Sequence, residues 1–290
     1  MLTKAEFYEK IAGGLHLMDG ATGSNLRLAG MPKGCSTELW VLDHPGVLQD
    51  LQRQYAEAGS QILYAPTFQA QPIALKAEGL DAETEKINAK LVALTKQATP
   101  GCLVAGDITT LAAFCDSWDP KSFDLLVENY RRQIRGLIDG GADLLGAETL
   151  LYPQEAEAIL TAAELEGAGA VTYTFTMQSD GSLFSGIEAG PVLKELARSG
   201  AAAVGFNCVA ADCMTAGLVA KLRRHVSIPL ICKPNAGIPV IRDDGIAHYD
   251  MAAAAFAEVV ADCIEMGATL VGGCCGTTPE HIHALKEMLR

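Results

Sequence analysis

Cys274 and Cys275 sit side by side in Val271-Gly-Gly-Cys-Cys-Gly-Thr-Thr-Pro279, and Cys208 ends the upstream stretch Gly205-Phe-Asn-Cys208. Each stretch follows a short apolar run of the kind that forms a buried strand. Thiolates are soft ligands that suit zinc, and three protein ligands would leave the fourth tetrahedral position open to a substrate. That arrangement points to chemistry on a thiol. The competing reading is that free cysteine is a small core hydrophobe. Two adjacent thiols among glycines fill a core poorly, however, and neighbours on a regular strand point to opposite faces. Both reach one ion only if the chain turns, which Gly272, Gly273 and Gly276 permit.

The other cysteines are less suggestive. Cys102 and Cys232 lie in apolar runs and read as core, Cys213 and Cys263 fall in helical stretches, and Cys35 and Cys115 fall in loops. Histidine supplies no ligand pair: His281 and His283 are two apart on a helix and point to different sides. A hydrolase-type site of histidines and carboxylates is therefore disfavoured. Asp19 and Glu148 end apolar runs, where a helix cap or a rim salt bridge is the plain alternative to a binding role. Together in one acidic mouth they would bind an ammonium group. The backbone of Gly20-Ala21-Thr22-Gly23 would present N–H groups to a carboxylate. An amino acid carries both groups. Asn207 and Asn235 are further polar residues at strand ends, with satisfaction of loop backbone as their alternative role.

A recurring local pattern positions these residues. A helix-like segment stops at glycine, and a short apolar run then leads to a polar residue. The copies begin at Gly59, Gly141, Gly200 and Gly267 and lead to Thr67, Glu148, Asn207-Cys208 and Cys274-Cys275. In each, glycine serves as a left-handed helix stop and the apolar run as a strand buried on both faces. Leu15–Met18, Cys102–Ala105, Val171–Phe175 and Pro229–Cys232 complete a set of eight strands. Helical periodicity lies between them, as over 122–139 and 251–266. Pro45, Pro153 and Pro279 mark first turns, and Asp250 is placed to cap the helix that follows it. Alternating β and α units in a chain of this length predict an α/β fold, a (β/α)8 TIM barrel, as one domain over residues 1–290. The runner-up, a doubly wound open sheet, lacks its glycine fingerprint, because Asp19-Gly-Ala-Thr-Gly23 is not G-x-G-x-x-G. In a barrel the active site sits at the C-terminal strand ends, where the polar residues above fall.

Composition narrows the function. The 290 residues are 49% hydrophobic and 20% charged with a net charge of −13, which argues against nucleic acid as a partner. No apolar run approaches the roughly 20 residues of a membrane span, and the first ten residues lack the apolar core of a signal peptide. Nine cysteines, an odd number scattered along a large chain, point away from a disulfide framework and towards a reducing cytoplasm.

Taken in order along the chain, Asp19-Gly-Ala-Thr-Gly23, Ala65-Pro-Thr-Phe68, Gly205-Phe-Asn-Cys208, Lys233-Pro-Asn-Ala-Gly237 and Gly272-Gly-Cys-Cys-Gly-Thr-Thr-Pro279 resemble the homocysteine S-methyltransferase family. That family includes the homocysteine-binding barrel of cobalamin-dependent methionine synthase and the betaine and S-methylmethionine enzymes. The resemblance implies a (β/α)8 barrel with Zn2+ held by Cys208, Cys274 and Cys275. It implies homocysteine bound by its thiolate to zinc, with its amino and carboxylate groups near Asp19, Gly20, Ala21 and Glu148, and with Thr67 in the matching position of the second-strand motif. The chain departs from the pattern at Pro66, where many members carry Asn. It also lacks the betaine enzymes' C-terminal extension and any Asp-x-His-x-x-Gly corrinoid signature. The methyl donor would then be S-methylmethionine or a methylcorrinoid on a separate corrinoid protein, and the short chain leans towards the latter. Two alternatives stay open. One is a different thiol acceptor, for which Pro66 and the Glu38–Trp40 loop segment leave room. The other is a non-catalytic zinc site of three cysteines, structural or redox-sensing.

Overall fold

The computed structural model describes residues 1–115, 118–242 and 246–290. Eight parallel strands form the expected (β/α)8 barrel: β1 (His16–Leu17), β2 (Ile62–Tyr64), β3 (Leu103–Thr109), β4 (Leu144–Leu150), β5 (Val171–Phe175), β6 (Ala203–Ala210), β7 (Leu230–Asn235) and β8 (Leu270–Val271). Consecutive strands from β2 to β8 pair in turn, and His16 sits opposite Leu270 to join β8 to β1. The ring closes between β1 and β2 through a parallel bridge from Met18 to Ile62, supported by Asp19 N–H donating to the Ile62 carbonyl at 3.0 Å. The predicted glycine stops hold: Gly59, Gly141, Gly200 and Gly267 have φ of +119°, +82°, +112° and +108°, a region that side chains with a Cβ rarely enter.

Two buried layers follow from the strands being covered on both sides. Outward-facing residues such as Leu63, Val104, Leu145, Tyr173 and Phe206 pack with apolar stripes of the surrounding helices. Inward-facing Met18, Ile62, Tyr64, Ala105, Leu144 and Ile231 fill the barrel interior. The helix Lys4–Lys10 plugs its lower end, with Phe7 and Ile11 joining that inner cluster. Its start is legible in retrospect as Thr3-x-x-Glu6, a reciprocal capping box.

Several expectations shift. Strands β3 and β7 run beyond their apolar segments, through Asp107 and Lys233, because a barrel's ladder continues into the polar rim. Glu38–Trp40 is not a loop: it lies in the helix Thr37–Asp43, capped by the Ser36 hydroxyl accepting from Leu39 N–H. The last long helix starts at Ala253 with Ala252 at its N-cap, so Asp250 lies outside it; the Met251 carbonyl is instead taken by the His281 ring. Cys213 sits in a turn before the helix Thr215–Arg223, while Cys263 is helical and buried.

Candidate metal centre and substrate cavity

The three cysteines meet at the barrel mouth. Their sulfur atoms all lie within 4.8 Å of one another, and Cys208 Sγ is 3.7 Å from Cys275 Sγ. Two sulfurs on a tetrahedral zinc, each near 2.3 Å from the ion, stand about 3.8 Å apart. The spacing and the soft donor set therefore fit zinc. Among the described residues no other group of three such side chains converges in this way. Crowding three thiols forces them to share protons: Cys208 is pushed up by its contacts first with Cys274 and then with Cys275, while Cys275 is held down by its contacts with Cys208 and then Cys274.

Backbone geometry brings the thiols together. The chain turns immediately after β8, with Cys274 N–H donating to the Pro234 carbonyl at 2.8 Å and Ala236 N–H to the Cys275 carbonyl at 2.9 Å. Gly276 completes the turn at φ +79°. The ladder between β6 and β7 shifts register between Asn207 and Ala210, and Cys208 within that bulge has φ +59°. The ladder between β4 and β5 shifts between Ala147 and Leu150, where Thr149 has φ +58°. Such conformations cost of order 1–3 kcal/mol each in a residue with a Cβ and persist only when surroundings enforce them. Asn207 enforces the one at Thr149, and the Thr176 hydroxyl meets the Cys208 carbonyl at 3.4 Å. Asn207 Oδ1 accepts from Thr149 N–H at 2.8 Å, and its Nδ2 donates to Thr149 Oγ1 at 2.7 Å and faces Cys274 Sγ at 3.7 Å. One buried amide thus ties the backbone next to Glu148 to the sulfur of Cys274.

Below the thiols lies a cavity of about 430 Å³ whose wall includes Asp19, Gly20, Ala21, Thr22, Gly23, Glu38, Asp107, Glu148, Lys233, Tyr249 and the three cysteines. Sequence reasoning missed Asp107, and it met Lys233 only as the first letter of a motif; the signal for both was their place at the ends of β3 and β7. Lys233 Nζ stands 3.2 Å from Glu148 Oε2, 3.4 Å from Asp19 Oδ1 and 3.7 Å from the centre of the Tyr64 ring. Burial alone would discharge the lysine, but Glu148 and then Asp19 outweigh it and hold the ammonium firmly protonated. The acids of the wall, with Glu38, still outnumber Lys233 and Arg27 together. Burial raises Asp19 to about 6 despite Lys233, and burial followed by the charge of Glu148 pushes Asp107 well up.

The remaining predicted site residues divide. Gly20 and Ala21 line the cavity, but Ala21 N–H is committed to Thr277 Oγ1 at 3.1 Å. Thr22 and Gly23 open the short helix Gly23–Leu28, whose first N–H groups have no intrahelical partner. Thr67 does not reach the cavity. It is fully buried, and its hydroxyl donates to the Asp107 carbonyl and accepts from Asp107 N–H, both at 2.9 Å. Asn207 and Asn235 also stand behind the wall; Asn235 is buried at the end of β7 with its Oδ1 unpartnered. No helix among the described residues is long and apolar enough to cross a membrane.

A closed barrel with converging thiols and an acidic, amino-acid-sized cavity at its mouth defines a barrel protein built to handle a small thiol. Comparison with known proteins makes this specific: the family model for homocysteine S-methyltransferase matches residues 16–289, so the chain belongs to that family. The homocysteine S-methyltransferase of Escherichia coli strain K12 is 28% identical, over 93% of this chain and 94% of its own length. The crystal structure of the homocysteine methyltransferase MmuM from Escherichia coli in its metallated form superimposes with a TM-score of 0.82 at 27% identity, covering 95% of this chain and 96% of that one. The methionine synthase of Mycobacterium leprae is 28% identical over 96% of this chain, which spans only 24% of that protein.

Proposed function

We propose that this chain transfers a methyl group to the sulfur of homocysteine, forming methionine, with Cys208, Cys274 and Cys275 as the ligands of one zinc ion. The observation that carries this reading is the convergence of three sulfur atoms within 4.8 Å directly beside an acidic cavity. When bound, zinc would supply a Lewis acid that lowers the pKa of a substrate thiol, leaving its sulfur anionic and nucleophilic at neutral pH.

The protein's own residues do the rest. Asn207 holds the bulge at Thr149 beside Glu148 and faces Cys274, which keeps the acid and the thiol in fixed relation. The acidic wall attracts the substrate's ammonium, since its four carboxylates, Asp19, Glu38, Asp107 and Glu148, outnumber Lys233 and Arg27. The open backbone N–H groups at the start of the helix Gly23–Leu28 suit the carboxylate. These contacts fix the amino-acid end and leave the sulfur beside the cysteines, open to a donor arriving from the mouth. S-methylmethionine and a methylcorrinoid carried by a separate protein both suit such a donor. A reducing compartment such as the cytoplasm would keep the three thiols available as ligands.

Zinc-edge X-ray absorption with and without homocysteine tests the reading. The expected result is three sulfurs and one light atom, becoming four sulfurs when homocysteine is added. A Cys275→Ser variant is expected to lose zinc and methyl transfer together, and full activity in a zinc-free variant would sink the assignment. Supplying each donor to the zinc-loaded protein then separates S-methylmethionine from methylcorrinoid.

A further inference from the structure

We propose that Arg27 and Glu38 form a second amino-acid seat in the cavity, holding the carboxylate and the ammonium of a methyl donor that is itself a sulfonium amino acid; this rests on the homocysteine reading above. The cavity wall carries two cations, Lys233 and Arg27. Lys233 is buried and shared between Glu148 at 3.2 Å, Asp19 at 3.4 Å and the centre of the Tyr64 ring at 3.7 Å, so its ammonium is already committed. Arg27 is in the opposite condition. It lies exposed in the helix Gly23–Leu28, and among the described residues it has no ion-pair partner. Its planar fork of N–H donors is the side chain best shaped to take a carboxylate. Glu38 is its complement. It is only 3% exposed and lines the same cavity. Its Oε2 accepts from the Ser36 hydroxyl at 2.8 Å and its Oε1 from Gln69 N–H at 2.7 Å. These neutral donors fix the carboxylate, yet no cation among the described residues pairs with it. A carboxylate buried without a cation is costly, and an ammonium arriving in the cavity removes that cost. The plain alternative is that Glu38 only ties the helix Thr37–Asp43 to the loop after β2, which a neutral amide would do as well.

Two groups of opposite charge on one wall, neither paired within the protein, match a zwitterion. The cavity also has room for one beyond homocysteine. Its volume of about 430 Å³ falls within the roughly 300–1,000 Å³ of pockets that hold drug-sized molecules, and homocysteine is much smaller than those. With four carboxylates against two cations, the wall favours a donor of net positive charge, which a sulfonium carried on a zwitterion has. In the transfer, a lone pair on the homocysteine thiolate forms the new S–C bond to one methyl carbon. The S–C bond of the sulfonium breaks, and its electron pair stays on the leaving sulfur. The negative charge of the thiolate and the positive charge of the sulfonium cancel. Two neutral thioethers result, both of them methionine when the donor is S-methylmethionine, and no proton moves in the step.

The test is calorimetric binding of S-methylmethionine, of its decarboxylated analogue (3-aminopropyl)dimethylsulfonium and of homocysteine to the zinc-loaded full chain, together with the KM of S-methylmethionine in methyl transfer. Arg27→Gln should weaken S-methylmethionine about tenfold, the low end for a hydrogen bond to a charged group, because the guanidinium reaches solvent. The decarboxylated analogue and homocysteine should change by no more than about twofold in that variant. Glu38→Gln leaves an amide that still meets Ser36 and Gln69 N–H, and it should weaken both sulfonium ligands roughly 10–100-fold while sparing homocysteine. Zinc content and melting temperature are checked for each variant, and Arg27→Gln decides alone if Glu38→Gln folds poorly. An Arg27→Gln variant that weakens homocysteine as much as S-methylmethionine, or weakens neither, overturns the donor seat and leaves the homocysteine reading intact. So does a wild-type protein that binds homocysteine yet neither binds nor uses S-methylmethionine. A wild-type protein that binds no homocysteine overturns both.

Discussion

On the outside of the barrel, Glu166 receives Arg135 Nε at 2.7 Å, Arg135 Nη2 at 2.9 Å and Arg131 Nε at 2.7 Å. Inside the mouth, Lys233 is the one cation among the described residues that pairs with Asp19 and Glu148, with Asp107 beyond them and Arg27 elsewhere on the cavity wall. The outer cluster gives one carboxylate two cations, and both arginines reach solvent. The inner cluster gives one cation several carboxylates, and the Lys233 side chain is 3% exposed. The effect on the acids is opposite in sign. Hydrogen bonding to Arg135 holds Glu166 below the usual carboxylate range, whereas burial lifts Asp19 to about 6. The outer arrangement is complete in itself. The inner one stays short of positive charge even with Arg27 on the cavity wall, a deficit that the ammonium of the proposed substrate would fill.

Breaking the inner cluster should have the largest effect. Lys233→Met leaves Asp19 and Glu148 buried without their cation, and removing one partner of a buried set costs about 3–5 kcal/mol. The expected outcome is a loss of that size in denaturant unfolding, partly restored in the double variant Lys233→Met/Glu148→Gln. A loss below about 1 kcal/mol would mean that water already reaches these charges, and the contrast with the outer pairs would vanish.

The pH dependence of the inner acids gives a somewhat smaller effect. Asp19 titrates near 6 in the folded protein against an ordinary value of 3.8, so ionising it opposes folding. The stability tied to its protonated form is fully present below about 3.8 and is lost as pH rises through about 6, an effect of about 3 kcal/mol. In metal-stripped protein, Asp19→Asn should flatten the stability profile over that window. An unchanged profile would assign the titration to another group.

The same contrast separates what sequence could and could not supply. Elements whose signals are local were legible: the glycine stops at Gly59, Gly141, Gly200 and Gly267, the eight buried runs, and the turn that lets Cys274 and Cys275 face one point. The roles of Asp107 and Lys233 were not, because the hydrophobic residues of each run stop short of them. In the fold, pairing carries β3 on to Thr109 and β7 on to Asn235. A polar residue on a barrel strand beyond its apolar run is a mouth residue, a rule that needs the fold first. Thr67 shows the reverse error. It has the right residue type at the right strand end, yet its hydroxyl is consumed by the backbone of Asp107, a contact between positions 40 residues apart that no local pattern encodes.

The outer cluster supplies the smallest and most discriminating test. Glu166 follows the helix Pro153–Leu165, where a carboxylate is unfavourable to the helix dipole, and the two arginines of the helix Pro120–Asp139 offset that. Arg135→Ala should cost only about 0.2–1 kcal/mol, the range for partly exposed pairs, and the cost should shrink as salt is added. Because the folded Glu166 carboxyl is lowered, its contribution is present above the unfolded value and is lost as pH falls through the folded one. Glu166→Gln should therefore fall below wild type in stability at neutral pH, where Asp19→Asn in metal-stripped protein should rise above it. Both variants should approach wild type in acid, where each native carboxyl is protonated and its amide replacement mimics it. Unfolding curves followed from neutral pH into acid should thus show differences of opposite sign that close in turn, the Asp19→Asn difference as pH falls from about 6 to 3.8 and the Glu166→Gln difference only below 4.5. Differences of the same sign at neutral pH would show that the two clusters obey one electrostatic regime, and the acidic mouth would then need no ligand to explain it.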